Sequence, residues 1–123
     1  LAWKQGEGFN FTIVNKETHE FLGRITIRKT KEEHLWNIGF WTHPEHQGQG
    51  IMKEALKVII AFGFTQLKAN EIEACYALWN KASESVLKSG GMTFLRFLEK
   101  GFLKKGEWIE ENLLSIKRDT WKV

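Results

Sequence analysis

Hydrophobic and polar residues alternate along the first third of the chain. Residues 9–15, "FNFTIVN", and residues 21–29, "FLGRITIRK", both alternate and contain β-branched side chains, which predicts two strands. The polar stretch "KETHE" between them predicts a turn, so the two strands should form a hairpin. After a second polar break, residues 35–42, "LWNIGFWT", predict a third strand of the same antiparallel meander.

The spacing of hydrophobic residues changes at Gly50. From there the apolar residues follow the i, i+3, i+4 spacing of a helix with one buried face, which predicts a helix over residues 50–67. Residues 71–78, "EIEACYAL", predict a short strand after it. A strand, a helix and a second strand in this order form a βαβ crossover, so strands 35–42 and 71–78 should be parallel.

The last third of the chain predicts a second helix and a second hairpin. Residues 80–91 predict the helix, with Asn80 near its start and a glycine pair as its stop. Residues 92–103 and 108–118 predict the two strands of the hairpin. The complete order predicts an α/β (α+β) fold, with two helices and a mixed, mostly antiparallel central sheet that contains the crossover. We expect a single domain over residues 1–123.

Composition and charge narrow the possible functions. The hydrophobic fraction of 42% suffices for one packed core, and the net charge of +3 comes from scattered basic residues rather than from a basic stripe, so we expect no nucleic-acid partner. No stretch approaches the roughly 20 apolar residues of a membrane span. Cys75 is the only cysteine, which favours a reducing, cytoplasmic location. No spacing of histidine, cysteine and carboxylate residues suggests a metal site.

A glycine-rich stretch joins the third strand to the first helix. In "HPEHQGQGIMKEAL", residues 43–56, Gly48 and Gly50 stand where the helix should begin. The first N–H groups of a helix have no intrahelical partner, and glycines let a ligand approach them closely, so this arrangement favours phosphate or diphosphate. Neither a P-loop nor a dinucleotide fingerprint is present, since Lys53 stands where the fingerprint needs its third glycine. On these letters alone, a tight turn without a ligand is the alternative.

Three segments of the chain resemble one family. "IGFWTHPEHQGQGIMKEAL" closely resembles motif A of the GNAT superfamily of N-acetyltransferases, in which a strand and a short loop lead into [QR]-x-x-G-x-[GA] at a helix start. "NKASESVLKSGGM" is similar to the family's N-x-x-S-x-x-V-L-x-K-x-G-F pattern. The C-terminal "GEWIEENLLSIKRDTW" is similar to the closing hairpin of the RimJ/RimL-like ribosomal-protein N-acetyltransferases. The resemblance extends over about residues 9–121.

The resemblance implies the acyl-CoA N-acyltransferase fold of GNAT proteins and acetyl-CoA as co-substrate. In the family, the third strand splays from its parallel neighbour, and the co-substrate fills the V between them. The diphosphate would lie on the backbone N–H groups of residues 47–52, that is, of the glycine turn (residues 47–50) and the first helical residues. The pantetheine arm would run along the end of the third strand and meet the second helix. The residues implied are Phe40, Trp41, Thr42, Gln47, Gly48, Gln49, Gly50, Ile51, Met52, Asn80 and Ser83.

The sequence departs from the family pattern within the site. Glu45 stands where Gln or Arg is usual, which would place a negative charge near a phosphate, so we expect it to point away and Gln47 to make the contact. Asn80 would hydrogen-bond the pantetheine, whereas Ser83 would either cap the second helix or touch the co-substrate. Many relatives carry a tyrosine in this helix that can protonate the leaving thiolate, but "ESVLKS" in this chain has none.

Few residues qualify as catalytic groups. Acetyl transfer needs a general base to neutralise the amine and donors for the developing oxyanion, for which backbone N–H groups at the end of strand 35–42 are candidates. Glu73 is the candidate base, with a paired strand carboxylate as the alternative. Tyr76 is the candidate proton donor, with a core or rim aromatic as the alternative. Cys75 is expected to be a buried, inert thiol.

The beginning of the chain also departs from the family. Relatives open with a strand and one or two helices before the first strand found here, and "LAWKQGEG" is similar to the tail of the second helix. We therefore expect a GNAT-like domain that is incomplete at its N-terminus. Strand 9–15 would then be an unprotected edge, and we expect it to pair with a second copy in a homodimer.

The sequence supports three functions to different degrees. The first is an acetyl-CoA-dependent N-acetyltransferase that acts on a primary amine, either a protein N-terminal α-amine or a small amine. The second is a non-catalytic acyl-CoA-binding module or an inactive fragment of such an enzyme, which the missing tyrosine favours. The third, phosphate-dependent signalling or nucleotide binding, has only the "GQG" of the turn behind it.

Overall fold

The first three strands form an antiparallel meander, as predicted. The structure, a computed structural model, describes residues 8–121. Asn15 closes the first turn, because its side-chain oxygen accepts hydrogen bonds from the backbone N–H groups of Glu17 and Thr18. The strands are β1 (Gly8–Val14), β2 (Phe21–Lys29) and β3 (Leu35–Thr42).

The predicted crossover is confirmed, and its two strands are parallel. Helix α1 covers Ile51–Thr65, and β4 covers Glu71–Ala77 and pairs in parallel with β3. The helix begins after Gly50 because that residue has a left-handed backbone (φ 76°), which makes it the N-cap. The helix ends earlier than predicted, and Lys68 beyond it has turned left-handed (φ 60°).

A second helix and a long hairpin complete the fold. Helix α2 covers Lys81–Ser89, β5 covers Thr93–Lys104 and β6 covers Glu107–Lys117. The six strands lie in the order β1-β2-β3-β4-β6-β5, so β6 inserts between β4 and β5. Because only the β3–β4 pair is parallel, the prediction of a mixed, mostly antiparallel sheet with two helices is confirmed.

Both helices pack on the same face of the sheet. A Cβ at Gly63 of α1 would lie 2.7 Å from Ile72 Cδ1 and 3.0 Å from Ile27 Cδ1, so the glycine lets α1 approach β2 and β4 closely. Gly90, at the end of α2, packs in the same way on Leu56 of α1. The fully buried side chains of this layer include Ile25, Ile27, Leu56, Ile60, Phe64, Ile72, Leu87 and Leu114.

The strands of the crossover diverge towards their C-terminal ends. Their pairing begins at Leu35 and Glu71 and stops at Ile38 and Ala74. β3 continues to Thr42 without a β4 partner. The resulting V confirms the splay that the resemblance implied, and it leaves backbone N–H and C=O groups on its inner edges free for a ligand.

The edges of the sheet are β1 and β5. β1 contains no charged residue, whereas β5 is irregular, with breaks in its register between Phe94 and Arg96 and between Leu98 and Phe102. The helix tail predicted for residues 1–8 lies outside the described residues, except for Gly8, which begins β1.

Candidate functional site

A cleft lies at the open end of the V, where β3, the glycine turn and the start of α2 meet. It has a volume of about 230 Å³. Its lining comes from three separate segments of the chain and includes every co-substrate residue that the resemblance implied. These are Phe40, Trp41, Thr42, Gln47, Gly48, Gln49, Gly50, Ile51, Met52, Asn80 and Ser83.

The lining also contains residues that the sequence did not single out. Lys53 follows the glycine turn in the first turn of α1, so its place could have been read from the helix start. His46 was missed because the polar residues around it indicate a surface turn, whereas the structure places it at the end of a short 3₁₀ turn, Pro44–His46, where it lines the cleft. The remaining members are Ala82, Ser85 and Val86.

The glycine turn has the backbone of an anion cradle. Gly48 and Gly50 have φ values of 81° and 76°, and a Cβ at either position would meet no atom within 4 Å. Their conformation therefore favours glycine, while the space above them is open to a ligand. No side chain caps α1 at Gly50. The N–H groups of the first helical turn thus have no intrahelical acceptor at the edge of the cleft.

The 3₁₀ turn before the glycines directs the side chain of Glu45 away from the cleft. His43 Nδ1 accepts a hydrogen bond from the Glu45 backbone N–H at 3.2 Å. The Glu45 side chain is 75% exposed, and Glu45 is not among the residues that line the cleft. Gln47, which does line it, donates its side-chain amide to the Thr42 carbonyl at 3.4 Å. The negative charge that departs from the family pattern therefore lies outside the cradle.

Asn80 rather than Ser83 caps α2. Its side-chain oxygen accepts a hydrogen bond from the Ser83 backbone N–H at 3.1 Å. The amide nitrogen of Asn80 is left to donate to a ligand in the cleft. The N-termini of α1 and α2 thus border one cleft, where the helix dipoles favour a negatively charged ligand.

Glu73 lies at the fork of the V but on the sheet face opposite the helices. Its neighbours on β4, Ile72 and Ala74, are buried under the helices, so Glu73 points to the other side. Its Oε2 accepts a hydrogen bond from Asn37 Nδ2 at 3.1 Å. Asn37 and Glu73 form the third of the four residue pairs that join β3 to β4. Glu73 does not line the cleft, so its role as general base stays a prediction.

Tyr76 lies on the helix face of β4 and is 6% exposed. Its hydroxyl donates to Glu84 Oε2 at 3.1 Å and accepts from Asn112 Nδ2 at 3.0 Å. Hydrogen bonds from Lys88 and Tyr76 hold the pKa of the Glu84 carboxyl below its usual range. The hydroxyl proton of Tyr76 is engaged outside the lining of the cleft, so its role as proton donor stays a prediction.

Cys75 shares the face of Glu73. Burial raises the pKa of its thiol from 9.0 to about 12, the nearby charges of Glu111 and Glu73 add to this effect, and Arg96 opposes it. A thiol with this pKa is neutral near pH 7 and a poor nucleophile. The chemistry of Cys75 thus agrees with the inert thiol that was expected, although the residue is half-buried rather than fully buried.

Residues 8–121 contain neither a cluster of metal ligands nor a helix that could span a membrane. Within this range, no three His, Cys, Asp or Glu side chains come together in a group that could hold a metal ion. No helix in the same range has the length and apolarity needed to cross a bilayer.

Comparison with known families identifies the fold. Residues 1–93 match the family described as "Acetyltransferase (GNAT) domain". The chain belongs to the GNAT family of acetyltransferases. The resemblance drawn from motif A and from the Asn80 segment is therefore confirmed at the level of the family.

Individual GNAT proteins agree with this assignment. The chain is 29% identical over 111 residues to the Uncharacterized N-acetyltransferase YnaD of Bacillus subtilis, covering 90% of this chain and 65% of YnaD. The ribosomal-protein-S5-alanine acetyltransferase of Vibrio fischeri matches with a TM-score of 0.87 and 28% identity over 99% of this chain and 68% of that chain. RimJ of Mycobacterium smegmatis, in complex with CoA-disulfide, matches with a TM-score of 0.87 and 26% identity over 96% of this chain and 56% of RimJ.

These matches confirm the expected GNAT fold and the likeness to the RimJ/RimL-like branch. The chain spans 61–65% of the length of the first three curated Bacillus relatives that it matches.

Proposed function

We propose that this protein is an acetyl-CoA-dependent N-acetyltransferase that transfers an acetyl group to a primary amine. The observation that carries the proposal is the cleft at the open end of the V, where β3, the glycine turn and α2 together supply all eleven implied co-substrate residues. Residues 40–53 and residues 80–86, which are separated in the chain by most of α1 and by β4, converge there on one space.

The cradle suits the diphosphate of acetyl-CoA. Gly48 and Gly50 leave open space at the start of α1, and the helix dipole favours negative charge there. The pantetheine arm would pair with the free edge of β3 beyond Ile38, as an added strand does. Acetyl-CoA would supply the activated acetyl group, and the backbone N–H groups at the end of β3 would orient its carbonyl.

The acceptor amine would enter from the sheet face opposite the helices. Glu73 lies on that face at the fork, where a carboxylate can take a proton from an amine directly or through water. An α-amine, with a pKa of about 8, needs less help than a lysine side chain at about 10.4. Two similar proteins are named for acetylating the alanine of ribosomal protein S5, which supports a protein N-terminal α-amine as acceptor. A small amine is the other acceptor class.

The cellular location and the partners of the protein are part of the same proposal. A reaction that needs no disulfide, in a chain whose one cysteine is a free thiol, suits the reducing cytoplasm. We expect acetyl-CoA, an amine acceptor and a second copy of the chain as partners, with neither nucleic acid nor a membrane among them.

A non-catalytic acyl-CoA-binding module is the second candidate. It is favoured by the hydrogen bonds that engage Glu73 with Asn37 and Tyr76 with Glu84, and by the absence of a tyrosine from α2. Both candidates predict binding of acetyl-CoA. Release of CoA in the presence of a panel of peptides and small amines occurs only if the chain is an enzyme.

Calorimetric titration with acetyl-CoA tests the proposal. Wild-type chain should bind, and Gly50→Glu should not, because the new side chain fills the cradle with negative charge. Gly106→Glu is the matched control, because Gly106 has a similar φ of 81° and open space around a Cβ, but lies in the β5–β6 turn. Failure of the folded wild-type chain to bind acetyl-CoA would overturn the proposed function.

A further inference from the structure

His46 lines the cleft, yet the proposed reaction gives it no part. It ends the 3₁₀ turn that leads from β3 into the glycine turn. Its side chain is 15% exposed, and its Nε2 is shielded from solvent. Among residues 8–121, this nitrogen has no hydrogen-bond partner. Burying a polar nitrogen without a partner is unfavourable, so its position beside the cradle calls for a physical reason.

Glu20 provides that reason. Its Oε2 lies 3.4 Å from His46 Nε2, without a hydrogen bond between them. Glu20 precedes β2, and its backbone carbonyl accepts a hydrogen bond from the Asn15 N–H at 2.8 Å, which anchors it in the β1–β2 turn. The contact between Glu20 and His46 therefore joins the β1–β2 turn to the 3₁₀ turn that leads into the glycine turn.

The Nε2 of His46 is the imidazole nitrogen that lies beside the Glu20 carboxylate. The neighbouring His43 ring lies 5.6 Å away between centroids, and its Nδ1 accepts the Glu45 N–H, so that nitrogen carries no proton. Trp41 packs against the other side of His43 at 5.9 Å. A small reorientation of the imidazole would align its Nε2–H with the Glu20 carboxylate and form a hydrogen bond.

We propose that His46, through its contact with Glu20, is a positioning residue that holds the glycine turn in the shape needed by the diphosphate of acetyl-CoA. The inference rests on the proposed function, because it assigns a role within the same co-substrate site. Neither side chain takes part in proton transfer or touches the acetyl group. Their effect is therefore on affinity for acetyl-CoA rather than on the rate of transfer.

The test compares the dissociation constant for acetyl-CoA, measured by calorimetry, in Glu20→Gln, His46→Phe and the double variant. Each single change should weaken binding roughly two- to fivefold, as expected for a partly exposed ion pair, and the double variant should bind no more weakly than His46→Phe. KM for acetyl-CoA should rise by the same factor with kcat unchanged. His46→Gln, which keeps a donor near the Nε2 position, should restore most of the affinity.

Glu33→Gln is the matched control. Glu33 Oε1 lies 3.6 Å from His34 Nε2 in the β2–β3 turn, so this variant removes a similar contact at a position that does not line the cleft. Its affinity for acetyl-CoA should equal that of the wild type. If His46→Phe does not fold, Glu20→Gln and His46→Gln carry the comparison, and thermal melts establish which variants fold.

The outcomes separate this inference from the proposed function. Wild-type binding together with an unchanged affinity in Glu20→Gln would overturn the inference and leave the proposed function standing. Additive losses in the double variant would also overturn it, because they would show that the two side chains act independently. A folded wild-type chain that does not bind acetyl-CoA would overturn both.

Discussion

At the scale of single residues, Glu73 and the cleft lie on different sides of the sheet, so the proposed base would require the acceptor to come from the side opposite the helices. Glu73 lies on the face opposite the helices, whereas the proposed co-substrate cleft lies at the end of the V beside α1 and α2. The pairing of β3 with β4 ends at Ile38 and Ala74, one residue beyond the pair of Asn37 and Glu73. A base on one side and a co-substrate on the other would allow the acceptor amine to meet the acetyl group at the fork.

Glu73→Gln should lower kcat about a hundredfold or more, because a positioned general base contributes roughly 10²- to 10⁴-fold. Its dissociation constant for acetyl-CoA should not change, since Glu73 does not line the cleft. Initial rates of CoA release with α-amine peptides give kcat, and calorimetry gives the affinity. Glu71→Gln, two residues earlier on β4, is the control and should keep the wild-type rate. A wild-type kcat in Glu73→Gln would remove Glu73 from the mechanism.

Cys75 should resist alkylation in the folded chain. A pKa raised from 9.0 to about 12 leaves about a thousandfold less thiolate at pH 8 than in an unfolded chain, so iodoacetamide should react correspondingly slowly. Mass spectrometry of samples labelled with and without urea measures the two rates. Labelling at the same rate in both samples would contradict this prediction.

The same shift in the pKa of Cys75 lowers the free energy of unfolding as pH rises above 9.0, because the thiol ionises first in the unfolded chain.

At the scale of elements, α2 is anchored to the sheet by a polar network. Glu84 of α2 accepts hydrogen bonds from Tyr76 of β4 at 3.1 Å and from Lys88 at 2.8 Å, and Asn112 of β6 donates to the same Tyr76 hydroxyl. The network sets the position of the helix whose first turn presents Asn80 and Ser83 to the cleft. Anchoring of α2 and shaping of the cleft are thus coupled.

Glu84→Gln should destabilise the chain at neutral pH, and the difference from the wild type should shrink in acid. The folded pKa of Glu84 lies below its ordinary value of 4.5, so its stabilising effect is present above pH 4.5 and is lost as pH falls through the lower folded value. Urea unfolding at neutral pH and at a pH well below 4.5 measures the difference. Glu99→Gln, an exposed carboxylate on β5, is the control. A difference that does not depend on pH would contradict the prediction.

At the scale of the whole molecule, the two sheet edges are not equally open to a partner. The register breaks of β5 interrupt its edge, which disfavours strand addition. β1 carries no charged residue and presents one edge of backbone donors and acceptors. The predicted homodimer should therefore form through β1, and both this dimer and a single domain over residues 1–123 stay predictions.

Sedimentation velocity measures whether such a dimer forms. Wild-type chain should sediment as a dimer at high concentration, and Thr12→Lys should be monomeric, because antiparallel pairing of two β1 strands would bring the added charges together. Thr93→Lys adds the same charge to β5 and should stay dimeric. A wild-type monomer at every concentration would contradict the prediction, and a monomeric Thr93→Lys would point to the other edge.

The sequence by itself determined the elements and the location of the glycine turn. Periods of two and of about 3.6 residues record which side of each segment is buried, so alternation predicted β1 to β3 and helical spacing predicted α1. Motif A spans one contiguous stretch, and its resemblance identified the family that residues 1–93 match. Local patterns report only local geometry, however. They did not predict the C-terminal end of α1 correctly, and they did not predict the 3₁₀ turn.

Only the tertiary structure decided the partners of the candidate site side chains. Glu73 with Asn37, and Tyr76 with Asn112, each join residues 36 positions apart, and Glu20 meets His46 across two elements. These contacts depend on how distant segments come together, which no single segment encodes. The contact of Glu73 with Asn37 needs the parallel β3–β4 pair, and that of Tyr76 with Asn112 needs the insertion of β6 beside β4. The physical reason is that pairing between distant strands follows from the packing of the whole core, whereas periodicity reports burial one segment at a time.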